Sequence, residues 1–390
     1  MTDYLAEAEA LFEYTQRLRR DFHMHPELGF QEYRTAGIVA SELNDLGLEV
    51  STGIAETGVV ALLEGGKPGP TVLMRFDMDA LPIHETTGAA YASVNEGVMH
   101  ACGHDAHTSI GLTVAKLLHA HRDELAGTAK LVFQPAEEGG GGAERMVKEG
   151  VLDNPRPDLS LALHVWNDKP YGWIGVTDGP AMSAAEVFEI QVAGRGAHAA
   201  QPQVSRDPVI AAAQIVSALQ TIVSRNVNPL DAAVLTVTQV HAGDAFNVIP
   251  MKAVIGGTIR TYRAETRALI LERLHEVAEG IAAALGCTAV VTLRGVTPVV
   301  SNHPEIAGRV QDVVRRVLPG ENLDVEERTM GSEDMGFMME DVPGCYFFVG
   351  SANGELGLDA PHHHPDFDID ERTLPRAAGL MASAAAEFLS

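Results

Sequence analysis

The stretch from Ser183 to Leu293 constrains the fold most, because its elements run in an order that the rest of the chain does not share. Apolar alternation marks strands over 187–192, 235–240, 254–261 and 288–293, and helical periodicity marks 208–223 and 265–284. The resulting βαββαβ order is that of a ferredoxin-like unit, and roughly a hundred residues suffice for a domain with its own core. On either side of it, strands alternate with helices. Before it come a helix over 35–46 stopped by Gly47, strands over 59–63, 71–76, 130–133 and 159–165, a helix over 108–119 and a helix start at Gly142. After Thr297 come a helix over 304–317, a strand over 345–349 and a closing helix over 374–389. Such alternation implies a mostly parallel sheet covered on both faces. The expected fold class is therefore α/β: a mostly parallel-sheet domain made of 1–182 and 296–390, with an α+β (βαββαβ, ferredoxin-like) domain, 183–295, inserted into it.

Charge narrows the function classes. The chain has 28 Lys and Arg against 53 Asp and Glu, a formal −25 at pH 7, spread along its length. Such a surface repels phosphate backbones and anionic lipid, so nucleic-acid and membrane partners are not expected. The first twenty residues mix acidic, basic and apolar side chains and read as an amphipathic helix, not a signal peptide. No later apolar run is expected to reach membrane-spanning length. Cys102, Cys287 and Cys345 are few, odd in number and far apart, which argues for a reducing compartment and a cytoplasmic location.

Ligand-type residues occur where strands end or loops begin, the usual place for sites in α/β proteins. The loop His100-Ala101-Cys102-Gly103-His104-Asp105 offers a thiol and an imidazole that can converge on one ion only if the backbone is irregular there. Gln134-Pro135-Ala136-Glu137-Glu138 follows an apolar strand, and its adjacent carboxylates point different ways, one toward an ion and one toward a water as general base. His164 closes another apolar run, and His362-His363-His364 lies in a late loop. Taken singly, each has a bland reading: a chance Cys/His pair, a solvated acidic turn, a satisfied core histidine, a polar loop. Together, Cys102, His104, Glu138, His164 and one late histidine are enough for two ions, leaving Glu137 for proton transfer. A thiol-nucleophile reading, with Cys102 attacking and His104 as its base, leaves Glu137, Glu138 and His164 without a task.

At this point the sequence resembles a known family, the dinuclear-metal M20 peptidases, in the branch of aminoacylase-like amidohydrolases that includes hippurate hydrolases and auxin-conjugate hydrolases. The resemblance runs through nearly the whole chain in order. It begins with His25-Pro26-Glu27-Leu28-Gly29, Arg75-Phe76-Asp77-Met78-Asp79-Ala80-Leu81-Pro82, His100 to Asp105 and Gln134 to Glu138. It continues with Gly196-Ala197-His198-Ala199-Ala200, Phe246-Asn247-Val248-Ile249-Pro250, Gly257-Thr258-Ile259-Arg260-Thr261 and Gly331-Ser332-Glu333-Asp334. Most of the wider superfamily has histidine at the place of Arg75 and an acidic bridging ligand at that of Cys102; both departures are typical of this branch.

The resemblance implies metal ligands Cys102, His104, Glu138, His164 and His363, the last because the family has a histidine two residues before a proline. It implies Glu137 as general acid/base, Asp77 as a carboxylate near it, and two divalent ions per subunit, zinc, manganese, cobalt or nickel. The inserted domain would serve as lid and dimerisation domain of a homodimer. His198 would reach the partner's active site to stabilise the oxyanion, and Asn247 and Arg260 would hold the substrate carboxylate. The implied activity is hydrolysis of the amide bond of N-acyl amino acids. Competing readings are a carboxypeptidase or dipeptidase acting on short peptides, an N-acetyl-diaminopimelate deacetylase, and a non-catalytic metal-dependent amide-binding protein.

Overall fold

The computed structural model describes residues 2–390. The described residues form two compact units, one of residues 2–181, 300–328 and 334–390, the other of 182–299 with 329–333.

The larger unit is built on an eight-stranded sheet in the order Glu49–Ile54, Gly58–Glu64, Ala126–Gln134, Lys67–Asp77, Leu159–Pro170, Gly344–Ala352, Trp173–Gly175, Asn322–Asp324. Its centre is parallel: Phe76 pairs with Phe133, Met74 with Leu161 and Phe348 with His164. The first two strands pair antiparallel with each other, and the second pairs antiparallel with Ala126–Gln134. Alternate residues of the central strands, Val72, Met74, Phe76, Leu131, Phe133, Leu161, Leu163 and Phe347, share one apolar core with the helices Phe12–Met24, His104–Ala120, Pro304–Val317 and Thr373–Phe388. Side chains of this size each contribute roughly 1.5–3 kcal/mol when fully buried. The helix His104–Ala120 lies so close to the sheet that a Cβ on Gly111 would come within 2.7 Å of the Phe76 ring. That closeness fixes the start of this helix against the C-terminal ends of the parallel strands.

Several expectations are sharpened. The amphipathic start is two helices, Tyr4–Ala10 capped by the Asp3 carboxylate and Phe12–Met24, broken at Leu11. Gly47 does follow the helix Tyr33–Asp45 with φ 73°, the left-handed turn a C′ glycine makes. The edge strands Glu49–Ile54 and Asn322–Asp324 were not anticipated, since neither buries enough side chains to alternate.

The smaller unit carries a four-stranded antiparallel sheet in the order Ala233–Ala242, Lys252–Thr261, Ala184–Ala193, Thr288–Thr297. The helices Pro208–Asn226 and Ala264–Ala284 cover one face, packing Ile215, Leu219, Ile222, Ile270 and Leu274 on Phe188, Ile190, Ile255 and Ile259. By length and composition Pro208–Asn226 could cross a bilayer, contrary to the reading that no run would reach that length. In the fold its apolar stripe is the domain's own core, while Gln214, Ser217, Gln220, Ser224 and Arg225 face outward. The unit also takes in 329–333, tied back by Ser183 N–H to the Gly331 carbonyl at 2.9 Å and by Ser183 Oγ to the Met330 carbonyl at 2.9 Å.

Candidate metal centre

Three neighbouring parallel strands deliver chemistry at or near the ends of their mutual pairing. Lys67–Asp77 delivers Asp77 and Asp79, Ala126–Gln134 delivers Glu137 and Glu138, and His164 lies on Leu159–Pro170. Cys102 and His104 come from the loop and first turn of the helix that packs across them. Gly103 between them has φ 96°, and a Cβ there would sit 2.5 Å from Val165 Cγ2. Glycine is thus required twice over, by conformation and by space.

Hydrogen bonds to the two imidazoles settle where their lone pairs point. His104 Nδ1 lies 2.9 Å from the Asp79 carbonyl oxygen and His164 Nδ1 lies 2.5 Å from that of Val165, so each Nδ1 must donate. In the neutral rings that a metal requires, both Nε2 atoms are then acceptors. His104 Nε2 is buried without a hydrogen-bond partner among the described residues, and His164 Nε2 faces Cys102 Sγ at 3.5 Å. The ligand atoms of Cys102, His104 and His164 all lie within 4.8 Å of one another, and the same is true of Cys102, Glu138 and His363. Cys102 is common to both groups.

The three late histidines part company. His363, with φ 65°, turns its Nε2 to within 3.2 Å of Glu138 Oε1, and its N–H donates to the Ala101 carbonyl. His362 instead accepts the Asn167 N–H on Nε2 and stacks between Trp166 and Phe367; burial, then His363, depresses its pKa to about 3. His364 is exposed and accepts the Asp366 N–H on its Nδ1.

The electrostatics of this cluster ask for a cation. Burial first, then Glu138, Glu137 and Asp77, holds the Cys102 thiol well above its usual range. Burial works against a charge on His104, but Asp77, Asp79 and Glu138 raise its pKa to about 10. A thiol kept protonated by burial and the carboxylates around it, with the buried His104 Nε2 left without a hydrogen-bond partner, is what a divalent ion would relieve. The donor set of one thiol, three imidazoles and a carboxylate suits zinc, cobalt or nickel, and its oxygen share admits manganese.

Around the cluster lies a layer of contacts that residue types alone did not reveal. Asp77 is fully buried; its Oδ1 accepts from His107 Nδ1 at 2.6 Å and its Oδ2 from Arg75 Nη1 at 2.5 Å. Burial opposes its ionisation, but His104, Arg75 and His107 hold its pKa well below the carboxylate range. Because the Val165 N–H donates to His107 Nε2 at 2.9 Å, both nitrogens of His107 are engaged and it cannot ligate. It is Asp79, not Asp77, whose carboxylate meets the backbone of Glu137 and Glu138, at 3.0 Å each. Period-2 alternation from Asp77 could have pointed to it.

Ala136, at φ 51°, has its N–H held by Glu32 Oε1 at 2.9 Å, while Glu32 Oε2 accepts from Thr57 at 2.5 Å. Burial raises the Glu32 pKa from 4.5 to about 7, resisted by the Thr57 bond and helped by Asp79. The unfolded chain releases this proton near 4.5 and the native chain near 7, so the native state binds more protons in between. Stability attributable to Glu32 therefore falls as pH rises through that window and stays lower above it. Glu32→Gln keeps an acceptor for Ala136 and cannot ionise. It is expected to be more resistant to urea than wild type at pH 8, by up to about 3 kcal/mol, with no advantage at pH 4.5. Parallel pH profiles for the two proteins would show that Glu32 ionises natively at its ordinary pKa.

The other expected site residues belong to the smaller unit. His198 pairs with Val248 in a two-residue ladder, is exposed, and accepts the Ala200 N–H on Nδ1 at 3.1 Å. The Asn247 carbonyl accepts the Ala199 N–H at 2.9 Å. Arg260 is half-buried on Lys252–Thr261 and donates to Ser332 Oγ at 2.5 Å; burial lowers its pKa.

Known proteins with this architecture bear on these groups. The model of peptidase family M20/M25/M40 matches residues 73–387. N-acetyl-L-cysteine deacetylase of Bacillus subtilis is 40% identical over 95% of this chain and 87% of its own length. IAA-amino acid hydrolase ILR1-like 4 of Arabidopsis thaliana is 39% identical over 99% of this chain and 88% of its own. The crystal structure of Bacillus subtilis YXEP, described as a dinuclear metal binding peptidase from the M20 family, superposes with a TM-score of 0.86. It is 35% identical, with 98% of this chain and 99% of that one covered. With matches of this extent the chain belongs to peptidase family M20/M25/M40 and is a metal-dependent hydrolase acting on amide bonds.

Proposed function

We propose that this enzyme removes the acyl group from N-acyl amino acids, with Glu137 as general acid/base and Cys102, His104, His164, Glu138 and His363 as ligands of two divalent ions. The observation that carries this reading is Cys102 Sγ, which belongs both to the group with His104 and His164 and to the group with Glu138 and His363, so that one soft donor lies within reach of both. Bound there, the ions would supply Lewis acidity, making a water nucleophilic at neutral pH and polarising the scissile carbonyl. Glu137 takes the proton of the attacking water and returns it to the leaving nitrogen. His104 and His164 present Nε2 because backbone carbonyls hold their Nδ1 atoms. The two relatives, a deacetylase of N-acetyl-L-cysteine and a hydrolase of IAA-amino acids, support an N-acyl amino acid over a longer peptide.

The same proposal makes the protein a cytoplasmic homodimer joined through the smaller unit. The exposed ring of His198 would be offered to the partner's oxyanion, and Asn247 and Arg260 to the substrate carboxylate. A thiol-nucleophile alternative, with Cys102 attacking and His104 as its base, is disfavoured because it leaves Glu137, Glu138 and His164 without a task.

The test is turnover of hippurate, N-acetyl amino acids, dipeptides and N-acetyl-diaminopimelate by protein stripped with chelator and then given manganese, zinc, cobalt or nickel. Loss on stripping and return with one ion, on an N-acyl amino acid, is the expected result. Activity that survives complete stripping would overturn the metal reading; return on dipeptides alone would replace the substrate class.

A further inference from the structure

Asp79 does more than border the cluster. One of its carboxylate oxygens accepts the N–H of Glu137 and the other the N–H of Glu138, both at 3.0 Å. Its own backbone carbonyl accepts from His104 Nδ1 at 2.9 Å, and Oδ1 lies 3.3 Å from that same nitrogen. The side chain is buried, so water does not compete for these bonds. A single residue thus grips the acid/base, the ligand beside it, and a ligand of the other donor group.

Geometry makes this grip specific. After the strand ends at Gln134 the chain bends through Ala136 in the left-handed region, so the orientation of Glu137 and Glu138 is not inherited from the sheet. Two successive N–H groups aimed at one carboxylate set that orientation instead, with charge-assisted bonds that outlast neutral ones. The Asp79 carbonyl meanwhile holds His104 in the tautomer that leaves Nε2 available.

From this we infer that Asp79 is a positioning residue for the reaction. It orients Glu137 toward the attacking water while holding Glu138 and His104 in ligating register, so that the base and both donor groups are set by one residue, through its carboxylate for the two glutamates and chiefly through its carbonyl for His104. The inference rests on the assignment of Glu137 and the ligands above.

Asp79→Asn and Asp79→Ala in the full chain test it. Asn retains one oxygen for one N–H but turns an amide nitrogen toward the other, so its losses should be smaller than those of Ala. Zinc affinity, read by competition with a chromophoric chelator, is expected to fall about 10–100-fold in the Ala variant. The thiolate-to-cobalt absorption of the cobalt-loaded protein should shift. With metal saturating, kcat should fall about 100-fold while KM stays within about threefold, because what is lost is alignment of the base.

A merely structural role would lower the unfolding midpoint and the fraction of active molecules yet leave kcat per metal-loaded molecule, the zinc affinity and the cobalt spectrum at wild-type values. That result in Asp79→Ala, or in Asp79→Asn if the Ala variant does not fold, overturns the inference. Should wild type cleave nothing in the substrate panel, the function proposal falls, while zinc affinity and the cobalt spectrum still decide the role of Asp79.

Discussion

Glu137→Gln is expected to lower kcat by about 10³-fold or more while leaving metal content and KM close to wild type. The substitution conserves shape and the N–H that Asp79 holds, so the loop from Pro135 to Gly142 should keep its course. What disappears is a proton acceptor, and positioned acid/base groups typically contribute 10²–10⁴-fold. Here the same group serves twice, accepting from water and donating to the leaving nitrogen, which places the expected loss toward the upper end. Glu138→Gln provides the contrast. Glu138 Oε1 faces His363 and belongs to a donor group with Cys102, so its loss should appear first in metal affinity. Steady-state kinetics at saturating metal, alongside metal analysis of the purified variants, separates the two. A Glu137→Gln enzyme within tenfold of wild-type kcat would mean that another group moves the proton.

Parts of this architecture were legible in the sequence because they depend on local pattern. The helix Pro304–Val317 starts at a proline and keeps a strict apolar stripe, and the ferredoxin-like unit declares itself through element order. Central strands such as Lys67–Asp77 read as apolar runs because both faces are covered at their inner ends. Edge strands did not, since Glu49–Ile54 leaves most of its side chains in water and so carries no alternation. The return of 329–333 to the smaller unit was also hidden, because it hangs on hydrogen bonds from Ser183 across a long separation.

The site divides in the same way. Cys102, His104, Glu138 and His164 were singled out by residue type where strands end or loops begin, and the structure gathers their donor atoms into two groups. Singling out His363 among three neighbours rested on a family pattern; in the structure it is the one of the three with positive φ, and its ring faces Glu138. Asp79, His107 and Glu32 were silent. Their work lies in bonds to residues distant in sequence, Glu32 to Ala136 and His107 to Val165 among them, and composition does not encode such pairings.

Arg19→Met is expected to destabilise the larger unit by about 3–5 kcal/mol, the usual cost of breaking a buried ion network from one side. Arg19 is fully buried, with Nε 2.8 Å from Asp105, Nη2 2.7 Å from Asp368 and Nη1 3.4 Å from Glu371. It joins the helix Phe12–Met24 to the first turn of the ligand-bearing helix, where Asp105 follows His104, and to the segment that follows His363. Methionine fills much of the space but leaves Asp105 and Asp368 with too little positive charge. Arg19→Lys should fall between, since a point charge cannot reach three carboxylates as a guanidinium fork does.

The loss should also depend on pH in a definite direction. Burial and Arg19 press the His23 pKa down, and Asp105 with Glu85 outweighs them, so it lies above its usual value. Removing Arg19 lifts one of the opposing effects and raises it further. Protonated His23 then stands 2.8 Å from Asp105 as a partial substitute, an aid present at low pH and lost as pH rises through the folded pKa. Urea unfolding should therefore show a larger deficit at about pH 9 than at about pH 6. Arg19→Met combined with Asp105→Asn should recover part of it, because the orphaned charge is gone. A single variant within about 1 kcal/mol of wild type at both pH values would show that Asp105 and Asp368 need no cation between them.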